Sequence, residues 1–335
     1  MSDLQPPSWR KILIIRFSSI GDIVLTTPVV RCLKKKWPHL EIHYLTKKHN
    51  ADILKHIPYV DVVHTFDDDL SLTIRELKKE NFDFAIDLQK NFRSKKVVRA
   101  LKCKHSTFSK LNVKKWILVR FKVNLLPQVH IVDRYFEAVK RFGVENDHEG
   151  LDFFIPEDSE FDIQDLPAGF EDGYIAVAIG AQHFTKSIPK EMIIEIGNML
   201  FKPIVLLGDE NDAKKGDEIV AALNSKAFNA CGKYSLFTSA SIIAQSDCVL
   251  TSDTGLMHIA AALHKPIASL WGNTVPEFGM YPYVVEGAPP ARIFEIPSLS
   301  CRPCSKLGHK KCPRKHFQCM RRLSSYEIAT WINQY

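Results

Sequence analysis

The chain has 335 residues, with 45 Lys and Arg against 38 Asp and Glu, a formal net charge of +7, 45% hydrophobic and 25% charged residues. That apolar fraction supports a large core and excludes a disordered chain, and at about 150 residues per domain the length predicts two domains. The moderately basic balance favours anionic ligands or surfaces; no nucleic-acid-binding motif accompanies it, so nucleic acid is not an expected partner.

The N-terminus, Met1-Ser-Asp-Leu-Gln-Pro-Pro, lacks the basic segment and long apolar stretch of a secretory signal. The longest apolar runs are strand-length, too short to span a bilayer. A cytoplasmic location is expected, with the eight cysteines reduced.

Short β-branched strands then alternate with helical patterns, the signature of a parallel sheet covered by helices. Strands are predicted at Ile12–Arg16, Glu41–Leu45, Val62–Thr65 and Phe84–Asp87, and helices at Ile23–Lys36 and Ile131–Phe142, the latter stopped by Gly143. The second half repeats the layout, with strands at Ile175–Ile179, Pro203–Leu207, Cys248–Leu250 and Pro266–Leu270, and helices at Lys190–Leu200, Leu236–Gln245 and Leu256–Leu263. The polar stretch Pro156–Asp172 reads as the linker. The expected domains are 1–160 and 161–335, with the final helix, Ser325–Gln334, packing back on the first.

Two stretches place polar groups at strand-to-helix junctions: Arg16-Phe-Ser-Ser-Ile-Gly-Asp22 and Ser252-Asp-Thr-Gly-Leu-Met-His258. In open parallel sheets ligands bind at the carboxyl ends of strands, and helix N-termini offer unpaired N–H groups to anions. The pair points to a phosphate-bearing substrate held between two domains. No G-x-G-x-x-G follows the first strand and no P-loop is present, which argues against a dehydrogenase or an ATPase.

Together with Ile14–Pro28, Gly180-Ala181 with Lys186, Leu207–Glu210 and the alanine-rich continuation to Ala262, these motifs resemble glycosyltransferase family 9, the ADP-heptose:lipopolysaccharide heptosyltransferases. The order and spacing run nearly the full length. The resemblance implies an α/β, GT-B architecture of two Rossmann-like domains, 1–160 binding the acceptor and 161–335 the nucleotide sugar, with the active site in the cleft between them. It also implies an inverting transfer of heptose from ADP-heptose to the lipopolysaccharide inner core.

Moving a sugar from a nucleotide diphosphate requires a base for the acceptor hydroxyl and compensation of charge on the leaving group. Asp22, opening a helix after a glycine turn, is the candidate base; the alternative is that it only caps that helix. Gly21 is expected to let the backbone turn tightly, and Ser19 shares that turn as a substrate contact. The resemblance places Lys186 against the diphosphate, where its neighbour Thr185 is a further phosphate contact, although Lys186-Ser-Ile-Pro189 lacks the aromatic residue many relatives carry before the proline. The Thr254 and Gly255 amides would receive phosphate oxygens, Asp253 sugar hydroxyls, and Glu210 the ribose. His258 lies one turn beyond Thr254 on the same side, either facing the ligand or packing the helix.

No metal and no cofactor is expected, since Asp67-Asp68-Asp69 reads as a surface loop. Cys301, Cys304, Cys312 and Cys319, with His309 and His316 among them, form a possible structural metal site, a redox pair or free thiols. Lys90–Lys122 carries twelve Lys and Arg, either a solvated face or a surface for anionic acceptors and lipid headgroups, with peripheral inner-membrane contact. Two other functions fit the same cleft: a GT-B-like sugar-nucleotide epimerase, and an inactive sugar-nucleotide or lipid-binding protein.

Overall fold

The computed structural model describes residues 9–335; the N-terminal heptapeptide lies outside them. Two compact units emerge: the described residues up to Lys110 together with Val129–Phe154, and Leu111–Gln128 together with Ile155–Tyr335.

The first unit runs β1 (Lys11–Ile15), α1 (Ile20–Val24), α2 (Thr27–Lys36), β2 (Glu41–Lys47), α3 (Ala51–Lys55), β3 (Val62–Phe66), α4 (Leu70–Lys79), β4 (Phe84–Asp87), α5 (Phe92–Leu101) and β5 (Lys104–Thr107). Next comes α6 (Asn112–Phe121), which belongs to the second unit, and then α7 (Ile131–Phe136) back in the first. The sheet is parallel in the order β3-β2-β1-β4-β5. Helices on both faces bury its centre, and Ile12 to Ile15 are wholly inaccessible.

The helix expected at Ile23–Lys36 is two helices. Pro28 has no amide to donate and fits only a first turn, so α2 starts afresh at Thr27. The Thr26 and Thr27 hydroxyls take up the carbonyls of Ile23 and Val24 at the break. The helix expected to reach Phe142 stops at Phe136, and a single 3-10 turn, Lys140–Phe142, precedes Gly143 at φ +67.

The second unit continues with β6 (Ile175–Ala178), α8 (Lys190–Gly197), β7 (Ile204–Leu207), α9 (Ala213–Ala222), β8 (Ala227–Asn229), α10 (Leu236–Gln245), β9 (Cys248–Ser252), α11 (Gly255–Ala262), β10 (Ile267–Trp271), β11 (Ala291–Glu295), α12 (Gln318–Arg321) and α13 (Ser325–Ile332). Its sheet is parallel in the order β11-β10-β9-β6-β7-β8.

In helix α13, Ile328, Ala329, Trp331 and Ile332 join the core of the second unit, beside Ile193 and Ile196 of α8. Within the stretch read as a linker Phe161 and Phe170 are buried, and the Phe161 amide donates to Ser241 Oγ.

In both sheets the strand order reverses beside the unit's first strand, between β1 and β4 and between β6 and β9. Such reversal points open a crevice at the carboxyl ends of the strands. Arg16–Asp22 follows β1; Gly180–Lys186 follows β6 and Asp253–Gly255 follows β9.

Candidate active site

In the first unit, Asp22 sits in the first turn of α1. Its Oδ2 accepts hydrogen bonds from the Ser19 amide at 2.8 Å and the Ser19 hydroxyl at 3.1 Å, so the carboxylate does cap its helix. Its Oδ1 lies 2.5 Å from a terminal nitrogen of Arg16. Arg16 is buried and held on its other side, donating to the Leu88 carbonyl at 2.7 Å, the Tyr135 hydroxyl at 2.9 Å and the Ser18 carbonyl.

Burial pushes the Asp22 pKa upward, but the Arg16 charge and the Ser19 bonds outweigh it and hold the carboxyl below the usual carboxylate range. The group is therefore ionised at neutral pH, with 18% of its side chain exposed. Each carboxylate oxygen has more than one acceptor position, so capping and accepting a substrate hydroxyl are compatible. Ser19 is exposed beside it. Gly21, by contrast, is buried inside α1 and is not among the glycines with positive φ. The tight turn expected of it is not formed, because the helix has already begun.

In the second unit, Lys186 ends the 3-10 turn Phe184–Lys186, and its ammonium lies 2.7 Å from Asp253 Oδ2. The same oxygen accepts from the Thr274 hydroxyl at 2.9 Å. Lys186 and Asp253 keep 18% and 12% of their side chains exposed, so the pair is shielded yet reachable. Thr254 is the N-cap of α11, but its hydroxyl turns to Thr251 Oγ1 at 3.2 Å and makes no cap bond. The first amides of α11, Gly255 onward, are left without a capping side chain, and the helix dipole adds to the positive potential there. A cation and an uncapped helix start at one reversal point suit a diphosphate.

The chain matches the profile of Glycosyltransferase family 9 (heptosyltransferase) over residues 71–312. It belongs to that family. Lipopolysaccharide heptosyltransferase 2 of Salmonella typhimurium is 26% identical over 293 residues, covering 80% of this chain and 84% of the relative. Among solved structures, the E. coli ADP-heptose LPS heptosyltransferase II matches with a TM-score of 0.73 at 21% identity, over 97% of this chain and 98% of that one. The E. coli heptosyltransferase WaaC with ADP matches at 0.65 and 19%, over 97% and 99%. These likenesses show the α/β fold of the GT-B glycosyltransferases.

In this family 9 glycosyltransferase the remaining candidates fall into different settings. Glu210 is exposed at the start of a 3-10 turn capped by Asp209. Close packing fixes its loop: a Cβ on Gly232, at φ +71, would lie 2.8 Å from Glu210 Cα, and a Cβ on Gly180 would lie 2.3 Å from Asp212 Oδ2. His258 is 2% exposed and, like its chain neighbours Met257 and Ile259, buried in α11. Thr185 is also buried, and its hydroxyl accepts from the His309 amide at 2.8 Å while donating to the His309 carbonyl. That bonding corrects the expectation of a phosphate contact: Thr185 seats the Lys186 turn.

Arg302 and Asn273, which carry no recognisable signal in the sequence, complete the arrangement together with Ser252 of the second junction. Arg302 is buried and donates to the carbonyls of Gly272, Ile296 and Thr274 and to Glu295. It thereby fixes the loop whose Thr274 holds Asp253. Ser252 Oγ and both polar atoms of the Asn273 amide are buried without a hydrogen-bond partner, next in sequence to Asp253 and Thr274. Unpaired buried groups are costly and call for a ligand or water.

The cysteine-rich segment thus supports Lys186 through His309 and Asp253 through Arg302. Burial raises the thiol pKa of Cys304, and pushes that of Cys319 up to about 11. No three of the sulfurs of Cys301, Cys304, Cys312 and Cys319 come within 4.8 Å of one another; among the described residues that spacing is met only by His43, His64 and Glu80. There the ligand atoms are already engaged, His43 with His64 and Glu41, each at 2.7 Å, and Glu80 with Lys11 at 2.7 Å.

Proposed function

We propose that this glycosyltransferase moves a heptose from ADP-heptose to the inner core of lipopolysaccharide with inversion at the anomeric carbon. The Asp22 carboxylate takes the proton of the acceptor hydroxyl as that oxygen bonds to the anomeric carbon; the bond from that carbon to the diphosphate breaks and ADP leaves. Lys186 and the first amides of α11 stabilise the departing charge, and Asp253, with Thr274, holds the ammonium in place. Glu210 meets the ribose, Asn273 and Ser252 supply hydrogen bonds to the donor, and His258 backs the helix that carries the anion site.

The observation that carries this reading is the shielded Lys186–Asp253 pair beside the uncapped start of α11. The names of the relatives support the donor and the acceptor. Among the described residues no helix is long and apolar enough to cross a membrane; the basic composition of Lys90–Lys122 supports action at a membrane surface, where a lipopolysaccharide acceptor would lie.

Incubation with a panel of ADP- and UDP-sugars and deacylated core acceptors tests it. Release of ADP that requires both ADP-heptose and a core acceptor is expected, unaffected by EDTA. Conversion of the sugar nucleotide without an acceptor would establish an epimerase instead, and binding without nucleotide release an inactive protein.

A further inference from the structure

Helix α6 presents apolar side chains on opposite faces. Lys115, Leu118, Val119 and Lys122, spaced i, i+3, i+4, i+7, form the anchored face. Leu118 packs with Val275 and Phe278, the Lys115 ammonium lies 5.5 Å from the Phe278 ring centroid, and Lys122 donates to the carbonyls of Val119 and Pro303 at 2.8 and 2.6 Å.

The opposite face carries Val113, Trp116 and Phe121, which are 71%, 53% and 59% exposed, and the strand of chain beyond it adds Val123 and Leu125, each 49% exposed. The Trp116 and Phe121 rings meet edge to face at 5.4 Å on the solvent side. A surface helix of this length ordinarily turns polar groups outward, and a contiguous exposed apolar patch marks an interaction surface. Exposed Lys114 and Arg120 border it. From Leu88 to Val132 the sequence contains no Asp or Glu at all.

We propose that this face of α6 docks on a bilayer surface rich in anionic lipid. Aromatic side chains favour the headgroup boundary, where an apolar ring body and a wet edge are both satisfied, and flanking Lys and Arg reach the lipid phosphates. Ten residues of helix extend about 15 Å, so α6 lies in the plane of the interface rather than across it. Charge also decides against a second copy of the chain as the occupant, since that pairing would bring Lys114 and Arg120 against their own like. The proposal rests on the membrane-surface reading above, and its test is independent of sugar transfer.

The intact protein is sedimented with vesicles of phosphatidylglycerol and phosphatidylethanolamine, and with vesicles of phosphatidylcholine alone. Binding to the anionic vesicles is expected, with a blue shift in fluorescence from Trp116 that W116S abolishes; Trp37, Trp271 and Trp331 are buried, and the half-buried Trp9 is packed against Trp37, Phe84 and Phe142. The double variant W116S/F121S is expected to lose vesicle binding by about tenfold or more, with its circular dichroism and its turnover of deacylated acceptor unchanged. K114E/R120E is expected to weaken binding in proportion to the anionic lipid present. Wild-type protein that ignores anionic vesicles, W116S/F121S that binds them as wild type does, or a wild-type dimer that W116S/F121S dissolves would each overturn the proposal. Vesicle binding by a protein that transfers no sugar would leave docking standing and overturn the function instead.

Discussion

At the two reversal points the molecule places the same pair of charges in opposite roles. After β1 the cation is the fixed partner: Arg16 is locked by two carbonyls and a tyrosine hydroxyl, and Asp22 is the more exposed group, 18% against 8%. After β6 and β9 the anion is the fixed partner: Asp253 is held by Thr274, and Lys186 is the more exposed, 18% against 12%. In each unit the better-bonded member orients the one that faces outward. A guanidinium suits the first role because its rigid fork satisfies several acceptors at once, and an ammonium on a flexible stem suits the second.

The largest expected effect breaks the outward partner of the first pair. D22N should lose about a thousandfold in turnover while donor affinity stays near wild type, measured by ADP release and donor titration. K186A should lose about a hundredfold in kcat/KM, the scale of a charge-assisted bond to phosphate, and here donor affinity should fall as well. If D22N weakened donor binding as much as K186A, the division of roles between the units would be lost.

Disturbing the supports should cost less. R302M releases the Thr274 loop, so the donor KM should rise about tenfold with smaller change in kcat at saturation, and the melting temperature should drop. N273A, which removes an amide with no partner inside the protein, should raise the donor KM by only about threefold and leave the melting temperature unchanged. A melting-temperature loss in N273A as large as that in R302M would mean the amide serves the fold instead.

The smallest effect concerns pH. Arg16 holds the Asp22 pKa down, so the base stays deprotonated to well below neutrality. R16K keeps a charge but loses the fork; Asp22 should move up toward its ordinary value, and the acid limb of the kcat/KM profile should move to higher pH. The sign for stability follows from the same depression. The pair stabilises the fold fully above the unfolded carboxylate value of about 3.9 and loses that contribution as pH falls through the lower folded value. An acid limb in R16K identical to wild type would show that Arg16 does not tune the base.

Most of the central sheet was readable from the chain because buried parallel strands are unbroken apolar runs. Phe84–Asp87 and the helix Leu236–Gln245 fall where periodicity placed them. The strands not anticipated, β5, β8 and β11, are all sheet edges, where one side meets solvent and the run becomes polar, as in Lys104–Thr107. Asp22 was singled out because a carboxylate opening a helix after a strand is a local pattern, and Lys186 because the resemblance to the family pointed to it.

Local order along the chain thus determined the alternation of strands and helices, the two halves and the outward-facing charges, since hydrophobic period and junction chemistry act over a few residues. Only tertiary structure decided that Arg16 grips Asp22, that Asp253 grips Lys186 across 67 positions, and that Arg302, Asn273 and His309 shape the second site. Arg16 and Asp22 share one motif, but Leu88 and Tyr135, which fix the guanidinium, are distant in sequence, as are the partners in the second site, and nothing short of packing the sheets brings a buried guanidinium to the carbonyls that fix it.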